Sequence, residues 1–341
     1  MNNGSGIVEG HEVVVIGAGI AGLAATAALV DRGVDVVCVE ARDRPGGRLL
    51  SAGPLDLGAT WFWPGERRVR DLVERTGIAV FDQHLTGDAV YESPTAVNRV
   101  KGNSIDVPAF RYVDGAASLA TALATKVPLR FGAPVTAVSA DPAGLRVTTS
   151  EAVFRAQHVI MAVPPALAVS FAGDALSPEL MRLAAKTPVW MGAVTKVVVR
   201  YAEPFWREQG LAGAAISMVG PLREIHDMSG PGGNPAALFG FAVGEVSAQA
   251  AVAQLVRLYG NRAASPEQVH IQDWSREPWT SPPDVHARAD YSWFGHPLYT
   301  RPAADGRLHW ASTETATAFA GHVEGALAAS VRAVAATTGN R

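Results

Sequence analysis

Residues 13–30 read VVVIGAGIAGLAATAALV, a run of small and apolar side chains whose three glycines decide the fold. Its apolarity alone would suit a membrane segment, but Gly17, Gly19 and Gly22 spell G-x-G-x-x-G and divide it. The preceding HEVVVI is β-branched and predicts a buried parallel strand, while AGLAATAALVDRG has the Ala and Leu content of a helix ending near Gly33. Strand, tight turn and helix in this order form the opening unit of a dinucleotide-binding fold. The first glycine makes the turn, the second admits a pyrophosphate and the third lets helix and strand pack closely. The pyrophosphate then lies at the helix N-terminus, where unpaired N–H groups and the dipole favour an anion.

The segment VDVVCVE supplies a second strand and ends in Glu40, 18 residues beyond Gly22. That is close to the roughly 20-residue step at which an acid accepts hydrogen bonds from the adenosine ribose. A carboxylate there also repels a 2′-phosphate, which disfavours an NADP-type ligand.

At 341 residues, 48% hydrophobic and 18% charged, the chain is long enough for two domains and a sizeable core. The first ten residues, MNNGSGIVEG, lack the basic and apolar regions of a signal peptide and read as a flexible leader, with no export implied. The one cysteine, Cys38, falls inside the second strand, which excludes an intramolecular disulfide and a cysteine-ligated metal and fits a reducing, cytoplasmic setting. The histidines are scattered without ligand spacing, so no metal site is expected. A net charge of −3 with no long basic run argues against a nucleic-acid surface and for a small-molecule partner.

After Glu40 comes ARDRPGGRLLSAGPLDLGATWFWP, dense in Arg42, Arg48 and the Gly46-Gly47 pair. Guanidinium groups suit phosphate oxygens, and adjacent glycines admit a bulky ligand to the backbone. The bland alternative is two solvated surface arginines. The stretch resembles the second glycine-rich motif of the flavin-dependent amine oxidases, in which the loop follows the FAD pyrophosphate and ribityl chain. The DLGATWFWP of residues 56–64 extends the resemblance, which puts Gly58 and Ala59 close to the isoalloxazine. Trp61 and Trp63 either line the site or pack a core.

Residues 67–77 predict a short amphipathic helix stopped by glycine, and residues 78–111 alternate short apolar runs with turn residues, as hairpin strands do. Members of the family carry a long helical insertion here. This chain has no room for it, because residues 112–127 already resemble the helix that returns to the FAD domain. The resemblance therefore implies a reduced substrate domain, with a site either more open or closed by the second subunit of a homodimer. The "PV" strand of FGAPVTAVSADPAGLRVTTSE implies backbone recognition of adenine at Val135, and HVIMAVPP resembles the strand leaving the FAD domain.

Alternation in AVTKVVVRY places Val194, Lys196 and Val198 on one face of a strand. A lysine among valines either guards an exposed sheet edge or is functional. V-x-K followed by EPFW resembles the monoamine-oxidase segment whose lysine holds a water against flavin N5, which implies that role for Lys196. The family's flavin-linking cysteine is absent, so FAD is expected to be non-covalent. Trp279, Tyr291 and Trp293 each stand as a counterpart of the first tyrosine of its aromatic cage.

Finally, LHWASTETATAFAGHVEGALAASVRAVAATTG resembles the C-terminal flavin motif, with Thr313 and Glu314 in it. The helix after Gly321 would turn its N-terminal amides, that of Val323 included, toward flavin N1–C2=O. Ser312 replaces the usual glycine and His322 the second cage tyrosine; without the family, His322 is an ordinary helix-start residue. The chain ends without the membrane tail of the mitochondrial enzymes.

The resemblance covers residues 11–78, 112–206 and 303–337. It implies an α/β fold with a Rossmann-like FAD-binding domain (1–78, 112–164 and 300–341) and a smaller, discontinuous α+β substrate domain (79–111 and 165–299). The activity it implies is FAD-dependent oxidation of a neutral amine, with hydride passing from the α-carbon to N5 and O2 returning the flavin to its oxidised form with release of H2O2. Lys196 would position water, and His322 would contact the substrate or tune its protonation. Two other readings stay open: dehydrogenation of a bulkier secondary metabolite, and an FAD-binding protein that catalyses little.

Overall fold

The apolar, β-branched start of the chain forms the strand Ile7–Ile16 in a computed structural model that describes residues 7–287 and 290–339. This strand starts earlier than expected. Residues 7–10, read from sequence as leader, pair in parallel with residues 152–155, Ile7 opposite Ala152 and Gly10 opposite Arg155. Their partner lies some 145 residues away, which local polarity does not reveal; residues 1–6 of the expected leader lie outside the described residues.

The first sheet has seven strands. Its order runs Val135–Asp141, Gly144–Thr149, Ala152–Met161, Ile7–Ile16, Val36–Val39 and Leu129–Arg130, with Leu308–Trp310 pairing in parallel beside the end of Ala152–Met161. Alternation along Ile7–Ile16 sends Val13 and Val15 to one face and Val14 and Ile16 to the other. The first pair packs on Leu23 and Ala25 of the helix Ile20–Val30 and shares a core with Leu327 and Val334 of the C-terminal helix Val323–Thr338. The second pair lies in a core with Leu180, Leu183 and Trp310. Each fully buried Val or Leu contributes roughly 1.5–3 kcal/mol. Packing on this sheet therefore continues beyond the Pro164 turn through the helix Pro178–Lys186.

A second seven-stranded sheet runs in the order Gln268–Asp273, Val194–Tyr201, Ala236–Val243, Glu224–Asp227, Leu211–Ser217, Asp88–Glu92 and Val97–Val100. Val197, Val199 and Tyr201 share a core with Leu255 and Leu258 of the helix Ala248–Tyr259. Val198 packs with Met228 and Phe239 against Leu55, Leu57 and Trp61, which belong to the loops following the second strand of the first sheet. The strand bearing Lys196 is thus internal, paired on both sides, and the edge-guard reading of that lysine is excluded.

Candidate active site

At the nucleotide end the glycines separate by the space around them. A Cβ on Gly22 would lie 1.9 Å from the Gly17 carbonyl oxygen, so the third glycine is what brings helix and turn together. Gly17 has φ +98°, and a Cβ there would approach Val163 to 2.9 Å. A Cβ on Gly19 would meet nothing within 4 Å. The first and third glycines serve the protein's own packing, and the second leaves room for a ligand. Against this turn lies the second glycine loop: Gly46 N donates to Ala18 O at 2.8 Å, and Gly47, at φ +58°, brings its backbone over the Gly19 Cα. Glu40 is buried, one oxygen accepting Ala18 N at 2.7 Å and the other Arg42 N at 3.0 Å. Each oxygen keeps a lone pair for a ribose hydroxyl. A cleft of about 160 Å³ runs past Gly19, Glu40, Arg42, Gly47, Arg48 and Val135. That is less than the roughly 300–1,000 Å³ of a pocket that holds a whole drug-sized ligand, so it suits one end of an extended dinucleotide. The ladder slips between Val135 and Ala137, which frees backbone at the cleft wall.

The two arginines read from sequence as phosphate ligands are both bonded to protein side chains at the cleft. Arg42 donates to Glu277 at 2.9 Å and to Thr280 at 2.7 Å. Arg48 forms a two-point pair with Glu314 at 2.7 and 3.2 Å, and Glu314 is fully buried. Trp190 N adds a third bond to that carboxylate at 3.2 Å. Both guanidinium groups still line the cleft, but carboxylates hold them in place there. The surface-charge alternative does not hold for Arg42, whose side chain is only 9% exposed.

Residues 56–60 form a strap between the two sheets. Asp56, fully buried, accepts Ala116 N at 2.7 Å and Ser51 Oγ at 2.6 Å through one oxygen; its other oxygen is buried without a hydrogen bond. A Cβ on Gly58 would lie 1.9 Å from Arg48 O, and Ala59 N donates to that same oxygen at 3.1 Å, so the strap lies tight against the glycine loop. Lys196 reaches it from the second sheet. Its Nζ donates to Gly58 O at 2.9 Å and to Thr60 Oγ1 at 2.5 Å, and lies 4.2 Å from the centre of the Phe239 ring. Burial lowers the Lys196 pKa to about 7 from its ordinary 10.5, with Asp56 opposing and Arg111 assisting that shift. Burial likewise raises Asp56, against the pull of Lys196.

The C-terminal motif closes the site. Thr313 accepts Gly321 N at 2.9 Å and donates to His322 O at 2.8 Å, which fixes the loop into the helix; Val323 is its first residue and His322 its N-cap position. The His322 ring lies 4.9 Å from that of Trp63, and its Nδ1 is 2.6 Å from Oε1 of the buried Glu66.

Lys196 and His322 are joined by a line of rings. Phe239, 4.2 Å from Lys196 Nζ, lies 5.2 Å from Trp61, Trp61 lies 6.4 Å from Trp63, and Trp63 meets His322. Trp61 and Trp63 pack in this line and remain half-buried, each leaving part of its ring exposed. The three residues expected as counterparts of the first cage ring each have their own surroundings. Trp279 lines the nucleotide cleft, Tyr291 packs on Trp190 at 5.3 Å, and Trp293 lies under Lys186 at 5.4 Å. Sequence reasoning also missed Glu66, Phe239 and His226. His226 is buried at 4.9 Å from Trp61, with Asp106 2.6 Å from Nδ1 and Glu224 3.1 Å from Nε2. Burial opposes its charge, yet these two carboxylates raise its pKa above the ordinary 6.5. The available signal was a polar residue in the alternating strand EIHD.

A nucleotide turn with space at Gly19, a strap pressed on a second glycine loop and a buried lysine facing that strap would suit a flavin-dependent oxidoreductase. The comparisons with known proteins agree. The chain belongs to the flavin containing amine oxidoreductase family, whose model matches residues 97–338, and a model of an NAD(P)-binding Rossmann-like domain matches residues 15–76. FAD is its cofactor, and the lone cysteine, Cys38, is buried in the second strand and offers no thiol for a covalent flavin link. An L-amino acid dehydrogenase from Synechocystis is 31% identical over 58% of this chain, a match spanning 44% of that protein's length. The flavin-containing amine oxidase B of Sus scrofa is 24% identical over 94% of this chain and 85% of its own. Among solved structures, a putrescine oxidase variant superposes with a TM-score of 0.85 at 21% identity, over 98% of this chain and all of that one. The cyclohexylamine oxidase of Brevibacterium oxydans gives 0.82 at 22%, over 96% and 98%. At such identities these two likenesses concern the fold alone. Among the described residues no helix is long and apolar enough to cross a membrane, and no group of three or more His, Cys, Asp or Glu could hold a metal.

Proposed function

We propose that the protein oxidises a small amine at FAD, with O2 as the electron acceptor and H2O2 as a product. The observation carrying this reading is Lys196: buried, bonded to Gly58 O and Thr60 Oγ1 of the strap, and connected through Phe239, Trp61 and Trp63 to His322. When bound, FAD supplies the two-electron chemistry, taking hydride from the α-carbon of the amine and passing electrons to oxygen. Gly17, Gly19, Gly22, Glu40, Gly47 and Val135 would hold its adenosine and pyrophosphate, with Arg42 and Arg48 as fixed positive charge beside them. Gly58, Ala59, Thr313, Glu314 and Val323 would surround the ring end. Lys196 holds a donor ready for a water or for negative charge arising near the strap, in surroundings where water competes little. The aromatic line presents half-buried apolar surface to the substrate and restricts solvent access.

A peroxide assay over a panel of primary amines tests this, alongside anaerobic bleaching of the flavin. Peroxide and bleaching with at least one amine are expected. Neither signal from any amine would defeat the reading.

The likeness to a relative named a dehydrogenase favours a second reading, in which the same C–H oxidation passes electrons to an acceptor other than oxygen. Anaerobic bleaching without peroxide in air, with turnover restored by an artificial quinone, selects it. Flavin that bleaches with no amine but with a bulkier metabolite selects dehydrogenation of that metabolite instead.

A further inference from the structure

We propose that Glu66 and His322 act as a carboxylate–imidazole pair that takes the proton from the incoming substrate ammonium, an inference that rests on the amine reading above. Glu66 is 1% exposed and stands immediately before the helix Arg67–Thr76. Its Oε2 accepts Trp63 N at 3.0 Å, which aims Oε1 at His322 Nδ1, 2.6 Å away. A carboxylate only accepts, so Nδ1 carries the hydrogen and the free lone pair lies on Nε2. Among the described residues Nε2 has no bonding partner, and the His322 side chain is 33% exposed, so that lone pair is reachable.

The ring is held as a base needs to be. The His322 carbonyl takes the Thr313 hydroxyl at 2.8 Å and Ala326 N at 3.2 Å, and its imidazole lies between Trp63 at 4.9 Å and Phe319 at 6.2 Å. The charged groups around it are otherwise committed. Glu324, on the same helix, is bonded to Arg68 at 2.9 Å and to Val69 N at 3.1 Å, and Glu314 is locked on Arg48. Tyr112, which feels both Asp56 and Glu66, has its phenol driven well above the ordinary range by burial.

In the step itself one N–H bond of the ammonium breaks, its electron pair stays on the amine nitrogen, and the proton bonds to Nε2. The imidazolium formed faces Glu66 and returns its proton to water after product leaves. No electrons change hands, and the neutral amine gains the lone pair that supports loss of hydride from the neighbouring carbon. The substrate class that fits is a primary amine, cationic in solution, with an apolar group to lie on Trp61 and Trp63. An ammonium over Trp63 is drawn there by the ring face before it is deprotonated.

The test uses the FAD-loaded enzyme and 2-phenylethylamine. The limiting anaerobic rate of flavin reduction is followed against pH, with ring-¹⁵N histidine spectra of the same protein. We expect an acidic limb in the wild type and a Nδ1–H tautomer at His322, assigned against the spectrum of His322→Gln. His322→Gln should lower the rate roughly 10²–10⁴-fold and lose the limb, with partial rescue by added imidazole. Glu66→Gln should move the limb about one pH unit or more downward, and Glu66→Asp should leave it near the wild-type position. Flavin content separates these effects from failure to fold. An Nε2–H tautomer in the wild type, or an unchanged limb in a flavin-loaded His322→Gln, overturns the proposal while the amine reading stands. Should no amine of the panel bleach the flavin, the amine reading falls and this inference with it.

Discussion

Lys196 Nζ lies 2.9 Å from the carbonyl oxygen of Gly58, so one hydrogen bond ties an internal strand of the second sheet to the strap. Trp274, just after the edge strand Gln268–Asp273, makes the neighbouring tie, its Nε1 donating to Leu57 O at 3.1 Å. The lysine is therefore both a structural link and the proposed reactive cation, and the two roles separate experimentally. Lys196→Met removes the charge at similar volume. Reoxidation of the reduced flavin by O2 should slow roughly 10²-fold, the scale of losing one preorganised donor. Stopped-flow absorbance checks this, and unchanged oxidation and reduction rates would remove Lys196 from the chemistry.

The same variant carries a signature in stability. Lys196 titrates near 7 in the folded protein and near 10.5 when unfolded, so between these values the unfolded chain binds the extra proton. Stability consequently rises with pH across that window. The advantage of Met over Lys should be largest below pH 7 and should fade toward pH 10.5, as measured by urea unfolding at a series of pH values.

His226 predicts the opposite sign. Its folded pKa is raised, so its contribution is complete below the ordinary 6.5 and is lost as pH climbs through the folded value. His226→Gln should cost stability at pH 5.5 and little in strongly alkaline buffer. A cost that does not vary with pH would show that the ring acts by packing on Phe239 and Trp61 alone.

Gly19→Ala and Gly22→Ala should part company. The first adds a methyl where nothing lies within 4 Å, so the apoprotein should melt unchanged while FAD binds more weakly. The second sets a Cβ 1.9 Å from a carbonyl oxygen and should lower the melting temperature of the apoprotein itself. Thermal melts with and without FAD, together with acid-released flavin, read both.

Arg48→Ala strands the fully buried Glu314 and should cost about 3–5 kcal/mol in urea unfolding. Arg48→Lys should recover only part, because an ammonium cannot reproduce the two-point pair.

These sites differ in how far they could be read along the chain. The glycine turn, Glu40 and the C-terminal helix start are written in neighbouring residues, whereas the valines alternating around Lys196 fit an edge strand as well as an internal one, and only its pairing on both sides decides. What escaped depends on distant partners. Glu66 precedes a helix, as acids commonly do, and nothing nearby tells that His322, 256 residues on, will accept its company. Nothing near Arg48 tells that Glu314, 266 residues away, will pair with it. Trp61 and Trp63 come from a loop whose aromatics read equally well as core, and their ring contacts to Phe239 and His322 depend on residues far along the chain.

The core that holds the glycine turn is completed by Leu327 and Val334, and its sheet by Leu308–Trp310. Everything between, the second sheet included, must therefore be synthesised first. On the ribosome the first-made strand and helix wait for the last-made ones, and a chain stopped short of residue 308 would expose the apolar face of Leu23 and Ala25 to chaperones and proteases.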